Sequence, residues 1–132
     1  MRRFIAIAAL LLSASAAAED GIVIQFQIFE QEKGSSDRSG YTNAVLMRLN
    51  EEVTLELDGL YVLKIAANQM ESSQASLLFT LKDMIDGRPY YIGAKSVNLR
   101  IGDASEFSFD RSNISYDIKI DTSYGVLPES EG

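Results

Sequence analysis

Apolar and polar residues alternate with period two along most of the chain, the signature of half-buried β-strands. Ile22, Ile24, Phe26 and Ile28 are apolar at even positions, with Gln25 and Gln27 between them. Val45, Met47 and Leu49 form a second series. Val53, Leu55 and Leu57 alternate with Glu52, Thr54 and Glu56. Residues 60–66 answer them after Asp58-Gly59. Further series are Ala75, Leu77, Phe79 and Leu81, then Val97, Leu99 and Ile101, then Phe107 and Phe109, then Ile114, Tyr116, Ile118 and Ile120. Turn residues separate them: Asn50-Glu51, the polar residues 68–74, Asp86-Gly87-Arg88-Pro89, Gly102-Asp103 and Arg111-Ser112-Asn113. No segment carries a convincing helical period. The pattern predicts an all-β fold, an antiparallel β-sandwich of about 7–9 short strands, with a small closed β-barrel as the alternative.

Three local expectations follow. Residues 30–43 are polar and carry Gly34, Ser35, Ser36, Asp37, Ser39 and Gly40, so they read as the longest loop. A three-residue turn of Leu57, Asp58 and Gly59 pairs Leu55 with Tyr61, Val53 with Leu63 and Glu52 with Lys64. Tyr90-Tyr91-Ile92 is a short strand that Gly93 interrupts, in which one tyrosine faces the core.

The first 18 residues are of another kind. Arg2 and Arg3 precede an apolar run over residues 4–12, and small residues follow up to Ala18. This is the three-part secretory signal. The run is shorter than the about 20 residues a bilayer span needs. Cleavage after Ala16 or Ala18 fits the small-x-small pattern, and no cysteine follows to carry a lipid. The expected organisation is a signal peptide over residues 1–18, a β-sandwich domain over 19–123 and a flexible tail over 124–132.

Composition narrows function by exclusion. The 132 residues include no cysteine, histidine or tryptophan. Ser-His-Asp and Cys-His catalytic sets are therefore ruled out, as are disulfides and Cys/His zinc sites. Of 12 basic residues, the leader takes Arg2 and Arg3; the remaining 10 face 19 acidic ones, a net charge of −9. Nucleic acid and anionic lipid surfaces are poor partners for such a chain. An exported chain without cysteine suggests a bacterial periplasmic or secreted protein. A transmembrane barrel is disfavoured, because aromatic girdles are missing.

Carboxylates remain as candidate chemistry. Asp117 and Asp121 share a strand face at about 13 Å, too far apart to act alone as a glycosidase pair. Asp83, Asp86 and Gly87 lie in one turn but lack the spacing of a calcium loop. No cofactor or metal site is expected. The interactional features are the 30–43 loop and the paired tyrosines. They nominate Lys33, Asp37, Arg38, Tyr41, Tyr90 and Tyr91 as partner-binding residues. The expected function is non-enzymatic binding of another envelope or secreted protein, as an accessory factor or inhibitor. A small-molecule or glycan carrier is the alternative, and a carboxylate-dependent hydrolase is the least favoured.

Overall fold

The computed structural model describes residues 18–128. Residues 1–17, which hold all but the last residue of the expected signal peptide, and residues 129–132 lie outside the described residues. Eight strands follow one another: β1 Ala18–Glu32, β2 Arg38–Arg48, β3 Glu51–Leu57, β4 Tyr61–Gln69, β5 Gln74–Ile85, β6 Arg88–Arg100, β7 Ala104–Arg111 and β8 Ile114–Pro128. All pairings are antiparallel, in two four-stranded sheets ordered β2-β1-β8-β7 and β3-β4-β5-β6. The fold is therefore a β-sandwich. Its strand order is that of an eight-stranded meander in which β8 returns to β1. Hydrogen bonding is interrupted at two seams, β2/β3 and β6/β7, so the barrel is not closed.

The alternation sets which face points inward. Ile22, Ile24, Phe26 and Ile28 of β1 are buried, as are Leu63, Ile65 and Ala67 of β4, Ala75, Leu77, Phe79 and Leu81 of β5, and Tyr116, Ile118 and Ile120 of β8. These four strands are the central pair of each sheet, so the core lies between them. Phe79 and Phe107 meet across the sheets with ring centroids 5.3 Å apart. Burying an isoleucine or leucine of this set contributes about 1.5–3 kcal/mol.

Four sequence expectations are corrected. The long loop is absent: β1 continues to Glu32 and β2 starts at Arg38, leaving residues 33–37 as the turn. Its polar residues are strand residues because Ser39, Gly40 and Thr42 lie on an edge strand whose outer face meets solvent. Part of the expected flexible tail, residues 124–128, is strand, and residues 129–132 lie outside the described residues. Residues 124–128 belong to β8, and Tyr124 through Pro128 pair with β1 from Ile22 back to Ala18. The β3-β4 turn is Asp58-Gly59-Leu60, so Leu57 faces Tyr61, Leu55 faces Leu63 and Thr54 faces Lys64. Asp58 and Gly59 have φ of 55° and 72°, and the Leu60 amide donates to the Leu57 carbonyl. That is a mirror-image turn, which matches the twist of a hairpin. The two-residue shift preserves both faces, and Lys64 still meets Glu52 diagonally at 3.6 Å.

The fourth correction concerns the tyrosines. β6 runs through Gly93 without a break. Leu81 faces Gly93 and Lys82 faces Tyr91, so Ile92 is an extra residue, a β-bulge. Tyr90 and Tyr91 are both exposed, at 56% and 59%. Tyr90 has the inward parity of its partner Asp83. It lies beyond the packed core, with the Arg111 guanidinium 5.6 Å from its ring centroid.

Candidate functional site

The up-and-down order places four turns at one end of the sandwich: residues 33–37, 58–60, 86–87 and 112–113. Inside this end the apolar core gives way to a polar cluster. The Tyr61 hydroxyl donates to Glu30 Oε1 at 2.7 Å, and the Tyr116 hydroxyl donates to Asp83 Oδ2 at 2.6 Å. Arg111 Nε donates to the Tyr116 oxygen at 3.2 Å. Tyr116 and Asp83 are both buried. Each carboxylate extends an apolar series by one step: Glu30 follows Ile28, and Asp83 follows Leu81.

Burial first, and then the hydrogen bond to Asp83, push the Tyr116 hydroxyl up to about 12. Burial and the Glu30 contact raise Tyr61 far above the usual phenol range. Both phenols are thus held protonated as donors, and each occupies a carboxylate oxygen. The two tyrosine–carboxylate contacts tie β1 to β4 and β5 to β8, across the two sheets.

The six nominated residues distribute around this end without forming one patch. Lys33 reaches Asp110 at 3.7 Å, and its amide donates to the Asn113 carbonyl. The Asp37 amide donates to Ser35 Oγ within the same turn. Tyr41 lies at the β2/β3 seam, edge-on to Tyr61, and donates to Asp58 Oδ2 at 3.0 Å. Arg38 lies on the outer face of its sheet, 4.1 Å from the Phe29 ring centroid and 3.4 Å from Asp117. Tyr90 and Tyr91 lie on β6, at the opposite flank from Tyr41. Tyr91 faces outward opposite Lys82. Among the six, only these two tyrosines present large, exposed apolar surface, and they are neighbours.

The outer face of the β2-β1-β8-β7 sheet is a second feature, which the sequence reading missed. Ladder register aligns Ala44, Gln25, Asp121 and Ala104 in one row and Thr42, Gln27, Lys119 and Glu106 in the next. These rows line a shallow concavity of about 800 Å3. The next row holds Gly40, Phe29, Asp117 and Ser108. Asp117 accepts from Ser108 Oγ at 2.7 Å as well as from Arg38. Asp117 and Asp121 therefore share a face, and Asp117 is engaged. Finding the rows requires knowing which strands are adjacent, and β8 beside β1 is a pairing that local spacing does not announce.

No family model matches this chain, and no curated protein or solved structure matches it significantly.

Proposed function

We propose that this chain is an exported β-sandwich that binds another protein, as an accessory factor or inhibitor in a bacterial envelope. The observation that carries this reading is the exposure of both Tyr90 and Tyr91, consecutive on an edge strand and opposite in parity, where alternation alone would bury one ring. Exposed tyrosines supply large, rigid contact area at low entropic cost, with a hydroxyl at the wet end. Tyrosine is correspondingly enriched at protein interfaces. The signal-like first 18 residues support the cellular setting.

The test replaces both rings by serine. Y90S/Y91S should melt like the parent. Recovery of a crosslinked partner from native envelopes should fall at least tenfold, the loss of about 1.4 kcal/mol of binding. Equal recovery of the same partner by the double variant would remove the tyrosines from the interface and the reading with them.

A glycan-binding reading is favoured by one observation, the concavity lined by the Gln25 and Gln27 amides beside Lys119, Glu106 and Asp121. Side-chain amides and carboxylates offer the paired donors and acceptors that hydroxyl-rich ligands require. Titration calorimetry with neutral oligosaccharides tests it: binding weakened by Q25A/Q27A supports this reading, and heat-free titrations dismiss it.

A further inference from the structure

The sandwich has four strands with an unpaired edge: β2, β3, β6 and β7. Free edges are templates for adding another strand, and proteins blunt them with charge, proline, bulges or short length. Three of the four are blunted. β3 is seven residues long and carries Glu51, Glu52 and Glu56. β6 carries Arg88, Pro89, Lys95 and Arg100 and the bulge at Ile92. β7 carries Glu106, Asp110 and Arg111. β2 is different. Between Arg38 and Arg48 it reads Ser-Gly-Tyr-Thr-Asn-Ala-Val-Leu-Met, with no charge and no proline, and its pairing with β1 runs without a register shift.

We propose that two copies of this chain pair antiparallel through β2, joining their sheets into one. The Ala44 amide donates to its neighbour's Asn43 Oδ1 at 2.8 Å, so it points away from β1. By the two-residue period, the amides of Gly40, Thr42 and Leu46 point to the free edge as well. The uncharged segment is centred on Asn43, and a two-fold axis there matches it with itself. Gly40 then faces Leu46 of the second copy, and Thr42 faces Ala44 of the second copy. About eight main-chain hydrogen bonds form, and the Ala44 amide exchanges its side-chain acceptor for a main-chain one.

The outer-face side chains beside this edge pack onto their own sheet. Leu46 is 44% exposed. The Phe29 ring lies against Gly40, where a Cβ would come within 3.1 Å of it, and Arg38 covers the ring at 4.1 Å from its centroid. The Leu46 side chain leans back over its own sheet, where a Cβ on Gly125 would lie 2.5 Å from its Cδ1, so it leaves the free edge of β2 clear. At the ends Arg38 faces Arg48 of the second copy, with the Arg38 charge met by Asp117 at 3.4 Å. β2 lies on the opposite flank from Tyr90 and Tyr91, so this inference is independent of the proposed function.

Sedimentation equilibrium of residues 19–132 between about 1 μM and 1 mM tests it. A reversible dimer is expected, with amide exchange at Gly40, Thr42 and Leu46 slowing at least tenfold as concentration rises. T42K/A44K sets lysines directly opposite one another in both halves and should return the chain to monomer with unchanged circular dichroism. A monomer throughout the range overturns the proposal. So does a dimer that persists in T42K/A44K while those amides exchange at unchanged rates. Slowing of the same amides only when envelope extract is added would also overturn it, and would assign the edge to a foreign strand.

Discussion

Replacing Tyr116 by phenylalanine deletes one oxygen and leaves the buried ring in place. The deleted hydroxyl donates to Asp83 Oδ2 at 2.6 Å and accepts from Arg111 at 3.2 Å. Asp83 is 8% exposed, so water does not readily replace the lost donor. A hydrogen bond to a charged group contributes about 1.5–3 kcal/mol, and a buried acceptor left without its donor retains its desolvation cost. Phenylalanine recovers part of this, because it has no hydroxyl to desolvate. Y116F should therefore lose about 2 kcal/mol in urea unfolding, at unchanged m-value. At about 4 °C per kcal/mol for a chain of this size, the melting temperature should fall by about 8 °C.

The same variant has an alkaline signature. In the unfolded chain Tyr116 ionises near its ordinary 10.0, while the fold holds its proton to about 12. The stability this contributes is complete below pH 10 and is lost as pH rises through 12. Parent stability should decline over that window, and Y116F should decline less steeply, with Tyr61 supplying the remaining slope. A double-mutant cycle with D83N isolates the pair, and its coupling should be about 0.5–3 kcal/mol. If Y116F stays within about 0.5 kcal/mol of the parent, or its alkaline slope is unchanged, the Tyr116–Asp83 contact is not a stabilising tie between the sheets.

Other perturbations separate steric from conformational constraints. Gly93→Ala puts a Cβ 2.6 Å from the Phe109 ring at the β6/β7 seam and should destabilise by about 1–3 kcal/mol, with F109L/G93A recovering part of it in thermal melts. Gly59→Ala meets open space but keeps a φ of 72°, so urea unfolding should show a loss of about 1 kcal/mol from strain alone. Phe79→Ala empties the centre of the core beside Phe107 and should lose about 3–5 kcal/mol by the same assay.

Much of the fold was legible because one face of each central strand is dry. Once Ile22, Ile24, Phe26 and Ile28 must point inward, register by face follows. The β3-β4 turn shows the limit of this constraint. A shift of two residues preserves every face, and the choice rests on which residues accept positive φ; Asp58 and Gly59 do. The first half of the edge strand β2, residues 38–43, reads as loop because an edge has little apolar face to declare itself, so Gly40, Thr42 and Asn43 carry a turn-like composition within a ladder. The polar cluster was legible in principle. Glu30 and Asp83 sit at the next inward position of their strands, and a carboxylate in that parity needs a donor. The donors Tyr61 and Tyr116 lie in the opposite sheet, where sequence spacing gives no partner.

The seams tie these observations together. A closed barrel satisfies every edge, whereas this meander leaves four edges at two seams. At β6/β7 the gap is filled by side chains, with Phe109 lying against Gly93, and the flanking strands carry charges, a proline and a bulge. At β2/β3 the bridging contacts gather at the turn end, where Tyr41 meets Asp58 and Tyr61, and β3 brings three glutamates to its own edge. That leaves β2 as the single long edge among the described strands with neither charge nor proline across residues 39–47. Exposed main-chain donors of this kind gain most from a strand of like length and no charge, and the chain itself carries one.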